Sequence, residues 1–134
     1  MTLPVSVGML RPGLISRLRR VSLAELRTAW WANRALGQLR EKLAAGPLSE
    51  VSIAPTARLP DSGRRGVALL LRLRRHTCLE QALIWQSWLA AHGIRRDVVI
   101  GVGSPSRDFI AHAWLDGDGD ALSAGFTELT RLAP

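Results

Sequence analysis

Apolar positions recur at helical spacing through the first two thirds of the chain and at strand spacing after Gly93. That change of period orders the elements, helices first and strands after. Leu23, Leu26, Trp30, Leu36 and Leu39 fall near one helical stripe and predict a long helix from about Leu23 to Leu43. Ser22-Leu23-Ala24-Glu25 has capping-box spacing at its start, and Gly46-Pro47 ends it. Val67, Leu70, Leu71 and Arg74 predict a short second helix. A third runs from Cys78 to about His92. Its stripe is Leu79, Ala82, Leu83, Leu89 and Ala90, widened by Trp85 and Trp88, so much of its surface is buried. Gly93 is a natural cap for its end, and His92 suits the negative end of its dipole.

The β-branched run Asp97 to Gly103 predicts a strand, Ser104 to Arg107 a turn, and Phe109 to Leu115 a second strand. Gly117-Asp118-Gly119 is hairpin chemistry, which predicts that Ala121 to Phe126 returns as a third strand beside the second. Thr127 to Pro134 is left as a short tail. Met1 to Arg11 is irregular, and Arg11-Pro12-Gly13 is turn-like. Pro47 to Gly63 has no long apolar period and reads as a connector, with a short strand at Val51-Ser52-Ile53. A connector of that length is unusual inside a compact domain. It either separates a helical N-terminal region (residues 1–63) from a C-terminal core (64–134) or serves as a lid or substrate-binding segment.

Composition narrows the setting. The chain is 47% hydrophobic, enough for a globular core. Only one cysteine is present, so no disulfide forms within the chain, which fits a reducing compartment. No apolar run is long enough for a transmembrane segment, and the N-terminus lacks the continuous apolar stretch of a signal peptide. The expected localisation is cytoplasmic. The net charge of +7 comes almost wholly from arginine, with clusters at Arg17-Arg19-Arg20, Arg64-Arg65 and Arg72-Arg74-Arg75. Such charge can attract nucleic acid, anionic lipid or an acidic peptide; a composition that favours arginine over lysine is the preferred account. With no tyrosine and two phenylalanines, an aromatic base-stacking platform is poorly supported, and no nucleic-acid partner is expected. Trp30 and Trp31 read as packing residues, with an outward-facing partner contact as the alternative.

Candidate chemistry centres on the single cysteine. Thr77 stands three residues before Glu80 in a second capping box, which puts Cys78 in the first turn of its helix. Free backbone N–H groups and the positive end of the helix dipole lie there and favour a thiolate, the reactive form of cysteine. Three histidines could serve as its base. His76 is two residues away on a rigid helix start, where such neighbours do not face each other. His92 is at the far end of the same helix, about 20 Å away at 1.5 Å per residue. His112 lies mid-strand, 34 positions after Cys78, with Ile110 and Trp114 on its face by alternation. It is the candidate general base, with a core histidine as the alternative. One cysteine and three dispersed histidines make no zinc spacing, and neither metal nor cofactor is expected.

The run from Cys78-Leu79 through the helix to Gly93-Ile94, then Ile100-Gly101-Val102 and Phe109-Ile110-Ala111-His112-Ala113-Trp114-Leu115, resembles the transglutaminase-like domain of lasso-peptide maturation proteases. These are leader peptidases of the transglutaminase-like cysteine protease superfamily. The resemblance covers roughly residues 64 to 126 and joins a Cys-Leu helix start to an Ala-His-Ala-Trp strand. It implies an α+β fold: a papain- or transglutaminase-like core with a buried Cys-bearing helix packed on a small antiparallel sheet, preceded by an α-helical N-terminal region. It implies a cysteine peptidase that removes the leader from a ribosomally made lasso-peptide precursor, with Cys78 as nucleophile and His112 as base. The N-terminal 63 residues are too short and too helical for a winged-helix-like recognition domain, so the resemblance also implies a separate leader-binding recognition protein. A lasso cyclase would act on the product.

The family places an acidic residue twelve positions after the histidine, and here that position is Ala124. The expected hairpin would bring position 124 beside His112. Asp116, Asp118 and Asp120 stand near in sequence, but well over about 10 Å along the strand at about 3.3 Å per residue. Three readings stay open: a bulge shifts the alignment, a backbone group or a side chain such as Ser123 takes the role, or the carboxylate is lost. The Cys78 backbone N–H is a plausible oxyanion donor. Gln81 and Gln86 read as ordinary helix surface. Two competing functions remain: a non-catalytic transglutaminase-like peptide-binding module, and a basic nucleic-acid or membrane-surface binding protein.

Overall fold

The computed structural model describes residues 21–48, 51, 59–103, 110–118 and 125–134. The readings placed on Met1 to Arg20, on Ser52-Ile53, on Ser104 to Phe109 and on Gly119 to Ala124 lie outside the described residues. Among the described residues, three α-helices precede a three-stranded antiparallel sheet, an α+β order. Helix α1 spans Leu23–Ala45, a 3₁₀ turn Asp61–Gly63 leads into α2 at Arg64–Leu73, and α3 spans Cys78–Ala91. The strands are β1 (Val98–Gly103), β2 (Ile110–Leu115) and β3 (Thr127–Leu132). None of the described helices is long and apolar enough to cross a membrane.

Helix α1 begins where the cap predicts, with the Ser22 hydroxyl accepting from the Glu25 N–H at 3.2 Å. Its inward face differs from the expected stripe. Thr28, Ala32, Ala35, Leu36 and Leu39 are buried, whereas Leu23, Leu26 and Trp30 are 81%, 52% and 63% exposed. Close packing of α2 explains this: a Cβ on Gly66 would stand 2.1 Å from the Glu25 carbonyl oxygen, so only small groups fit the seam. Trp30 lies outside and receives the Arg34 guanidinium 4.9 Å from its ring centre. Trp31 packs partly buried against the core.

Helix α3 carries both halves of its capping box. The Thr77 hydroxyl accepts from the Glu80 N–H at 3.1 Å, and the Glu80 carboxylate accepts from the Thr77 N–H at 2.9 Å. At the other end Gly93 takes a φ of +78°, and its N–H and that of Ile94 donate to the carbonyls of Ala90 and Leu89. This left-handed stop satisfies two terminal carbonyls. Between the caps the helix is buried nearly all round, at Ala82, Leu83, Ile84, Trp88 and Leu89 among others. One core cluster joins it to Leu36 and Leu39 of α1, Val67 and Leu70 of α2, and Val98, Ala113 and Leu115 of the sheet. That core runs across the 63/64 boundary drawn from the sequence. Val51 belongs to it but forms no strand.

The sheet order is β2-β1-β3, both pairings antiparallel. One expectation is corrected here. Thr127–Leu132, the stretch read as a tail, is a strand of the described sheet and pairs with β1. The reason is visible in β1: Val98 and Val99 are both buried, so β1 is apolar on both faces and takes the central place with a partner on each edge. Strand β3 is exposed along nearly its whole length and carries Glu128 and Arg131, as suits a charged edge. It is also tied to α3, because the Gln86 amide donates to the carbonyls of Arg96 (2.9 Å) and Leu132 (2.7 Å). Gln86 is therefore a buried clamp and not helix surface.

Candidate active site

The start of α3 presents Cys78 as an exposed free thiol in the first helical turn, directly after the Thr77 cap. The turn is held from a second side. Arg40 of α1 donates from Nε to Glu80 Oε2 at 2.8 Å and from Nη2 to the Arg75 carbonyl at 2.5 Å. Glu80 is 5% exposed. Burial pushes its carboxyl up, but the hydrogen bonds and charge of Arg40 and the Thr77 bonds outweigh it and leave it below its ordinary value. The same carboxylate caps the helix and anchors it to α1.

A cleft of about 100 Å³ opens beside this turn, lined by Cys78, Gln81 and Trp85 of α3 and by His112 to Leu115 of β2, with Asp118 at one end. Strand β2 stands at an edge of the described sheet. Cys78 and His112 thus share one cleft although they are 34 positions apart in the chain. Among the described residues, no hydrogen bond joins the thiol to the imidazole. Neither of the other histidines lines the cleft. His76 bonds the Arg74 carbonyl through Nδ1 and Gln81 through Nε2, both at 2.9 Å. His92 bonds the Trp88 carbonyl through Nδ1 at 2.8 Å, and its Nε2 stands 3.0 Å from Asp61 but off a hydrogen-bonding direction.

No carboxylate among the described residues hydrogen-bonds His112. Asp116 is held by Arg131 at 2.8 Å, and Arg131 is also paired with Glu128; these bonds raise the Arg131 pKa further above its ordinary value. Asp118 is within 3.4 Å of Arg96. Ser123 and Ala124 lie outside the described residues. Because β3 pairs with β1, the strand position in line with His112 across Gly101 is Glu128. What flanks the imidazole is aromatic: the rings of Trp114 and Phe126 have centres 5.7 and 5.1 Å away. Sequence reasoning placed Trp114 on the face of His112 by strand alternation and missed Phe126. Arg40 gave no signal, standing 40 positions from its partner.

Among the described residues, no group of three or more histidine, cysteine or acidic side chains could hold a metal ion. The polar side chains that line the cleft are the Cys78 thiol, the His112 imidazole, the Gln81 amide and the Asp118 carboxylate. The sequence model of the transglutaminase-like superfamily matches residues 21–134. No curated protein and no solved structure matches the chain.

Proposed function

We propose a function for this chain from one premise: it belongs to the transglutaminase-like superfamily, which includes cysteine peptidases. The chain is a cysteine peptidase with Cys78 as nucleophile and His112 as general base and acid. The observation that carries this reading is the shared cleft of Cys78 and His112. In the first step the thiolate attacks the scissile carbonyl carbon and the oxygen takes the negative charge. The Cys78 backbone N–H, at the helix start, is positioned to donate to that oxygen. Collapse breaks the C–N bond, and the leaving amine takes its proton from the His112 imidazolium. Water, deprotonated by His112, then hydrolyses the thioester and restores the thiol.

The finer reading concerns the substrate. The joined motifs at Cys78-Leu79 and Ala111-His112-Ala113-Trp114 support a lasso-peptide precursor cleaved between leader and core. On that reading a separate recognition protein presents the leader, a lasso cyclase consumes the released core, and the enzyme works in the cytoplasm. The test is incubation of precursor and recognition protein with wild type, Cys78→Ala and His112→Ala, followed by mass spectrometry. Both variants should lose cleavage while keeping wild-type circular dichroism. Cleavage by Cys78→Ala at the wild-type rate would refute the mechanism.

A second reading, a non-catalytic peptide-binding module, is favoured by one observation: among the described residues nothing hydrogen-bonds Cys78 to His112 or a carboxylate to His112. It predicts a Cys78 no more reactive than a free thiol and a precursor that binds without being cut.

A further inference from the structure

A histidine that moves protons needs its ring plane fixed, usually by an acceptor on the nitrogen that does not react. His112 has no carboxylate of that kind among the described residues, yet its surroundings on the sheet are specific. Gly101 is its register partner on β1, and Gly103 lies two residues on, opposite Ile110, so both glycines share the face of His112 and Trp114. Each glycine sits under a ring. A Cβ on Gly101 would stand 2.7 Å from Trp114 Cη2 and 3.0 Å from Cζ3. A Cβ on Gly103 would stand 3.1 Å from Phe126 Cδ1 and 3.2 Å from Cε1. The two rings also face each other, with centres 6.1 Å apart, so His112, Trp114 and Phe126 form a closed group of three. Trp114 is 9% exposed and cannot easily swing away.

We infer that Gly101 and Gly103 form a floor on which Trp114 and Phe126 lie, and that these two rings are positioning residues that hold the His112 imidazole in its working plane. The inference rests on the catalytic reading of Cys78 and His112 and adds the device that orients the base. The missing side chains leave space above β1, the rings fill it, and the imidazole packs against both. Electron-rich ring faces also suit the imidazolium that forms when His112 takes the proton. Without the floor the indole must shift, and the imidazole loses a wall.

The test combines a structural and a chemical readout on the full chain. In protein with labelled histidine, ring currents should displace the His112 Cε1–H resonance, and Trp114→Leu, Phe126→Leu and Gly101→Val should each move it. Alkylation of Cys78 by iodoacetamide needs no natural substrate. In these variants it should fall toward the rate of His112→Ala, and precursor cleavage should lose roughly tenfold to a hundredfold in kcat with little change in KM, as expected for a misplaced base. Trp114→Phe, which keeps a ring, should recover part of the loss. Gly101→Ala and the half-buried Phe126→Leu keep the test open if a larger change unfolds the chain. If His112→Ala slows alkylation while folded Phe126→Leu, Trp114→Leu and Gly101→Ala do not, the inference is wrong and the catalytic reading stands. If His112→Ala leaves alkylation unchanged, the catalytic reading is wrong and the positioning role falls with it. An unmoved resonance in the variants overturns the seat itself.

Discussion

Arg40 and Glu80 form an ion pair at 2.8 Å that ties the middle of α1 to the first turn of the cysteine-bearing helix. The Glu80 side chain is 7% exposed and that of Arg40 41%, so the pair sits at the edge of the core. The same guanidinium holds the Arg75 carbonyl, just before the Thr77 cap. Arg40→Ala leaves a buried carboxylate with its cap bonds but without its cation. An expected loss of about 1–3 kcal/mol follows from leaving such a group partly unsatisfied. Urea unfolding should show a lower midpoint with an unchanged slope, and Arg40→Lys should recover only part of it, because an ammonium cannot reproduce the fork. A midpoint equal to wild type in Arg40→Ala would mean that the pair is merely superficial.

Acid should weaken the fold through the same residue. The Glu80 carboxyl titrates below its unfolded value, so in the pH range between the two values the unfolded chain binds the extra proton and acid favours unfolding. That stabilisation is fully present above the unfolded value of about 4.3 and is lost as pH falls through the lower folded value. Stability measured from pH 6 down to about 3 should therefore drop in wild type and drop less steeply in Glu80→Gln. Parallel curves for the two proteins would remove Glu80 as a source of the acid sensitivity.

Gly66 sets the distance between α1 and α2. A Cβ there would meet the Glu25 carbonyl oxygen at 2.1 Å and the Ala29 nitrogen at 2.9 Å, both backbone atoms that cannot rotate aside. Gly66→Ala gains helix propensity but must open the seam, and overpacking of this kind costs about 1–3 kcal/mol. Thermal unfolding should show a lower Tm. A Tm at or above wild type would show that the two helices are free to separate.

Gln86 donates to carbonyls from two places, Arg96 before β1 and Leu132 at the end of β3. Gln86→Leu keeps the bulk and leaves both carbonyls without that donor, at a cost of about 1–3 kcal/mol. Amide hydrogen exchange should rise along β3 more than along β2. Uniform exchange across the sheet would place the clamp elsewhere.

The parts of this molecule legible in its sequence were those fixed by local spacing. Thr77 and Glu80 are three residues apart, so their capping box could be read directly, and with it the place of Cys78. His112 could be placed mid-strand because β2 is a short, nearly continuous apolar run. Gly117-Asp118-Gly119 also carried a true signal, since the chain turns there, with Gly117 at a φ of +93°. What a turn cannot say is which edge a later strand will take, and β3 pairs with β1. The large apolar residues Leu23, Leu26 and Trp30 fit a helical period but not the narrow seam under α2, which admits only small side chains. Arg40 and Phe126 matter through neighbours that only the folded chain supplies.

The central claim is that Cys78 attacks a peptide carbonyl with His112 as its base. Its most direct test is a leader-derived peptide ending in a chloromethyl ketone at the scissile position, followed by peptide mapping of the labelled protein. The account predicts one label, on Cys78, formed rapidly by wild type, slowly by His112→Ala and not at all by Cys78→Ala. Labelling at another residue, or equal rates in wild type and His112→Ala, would contradict it.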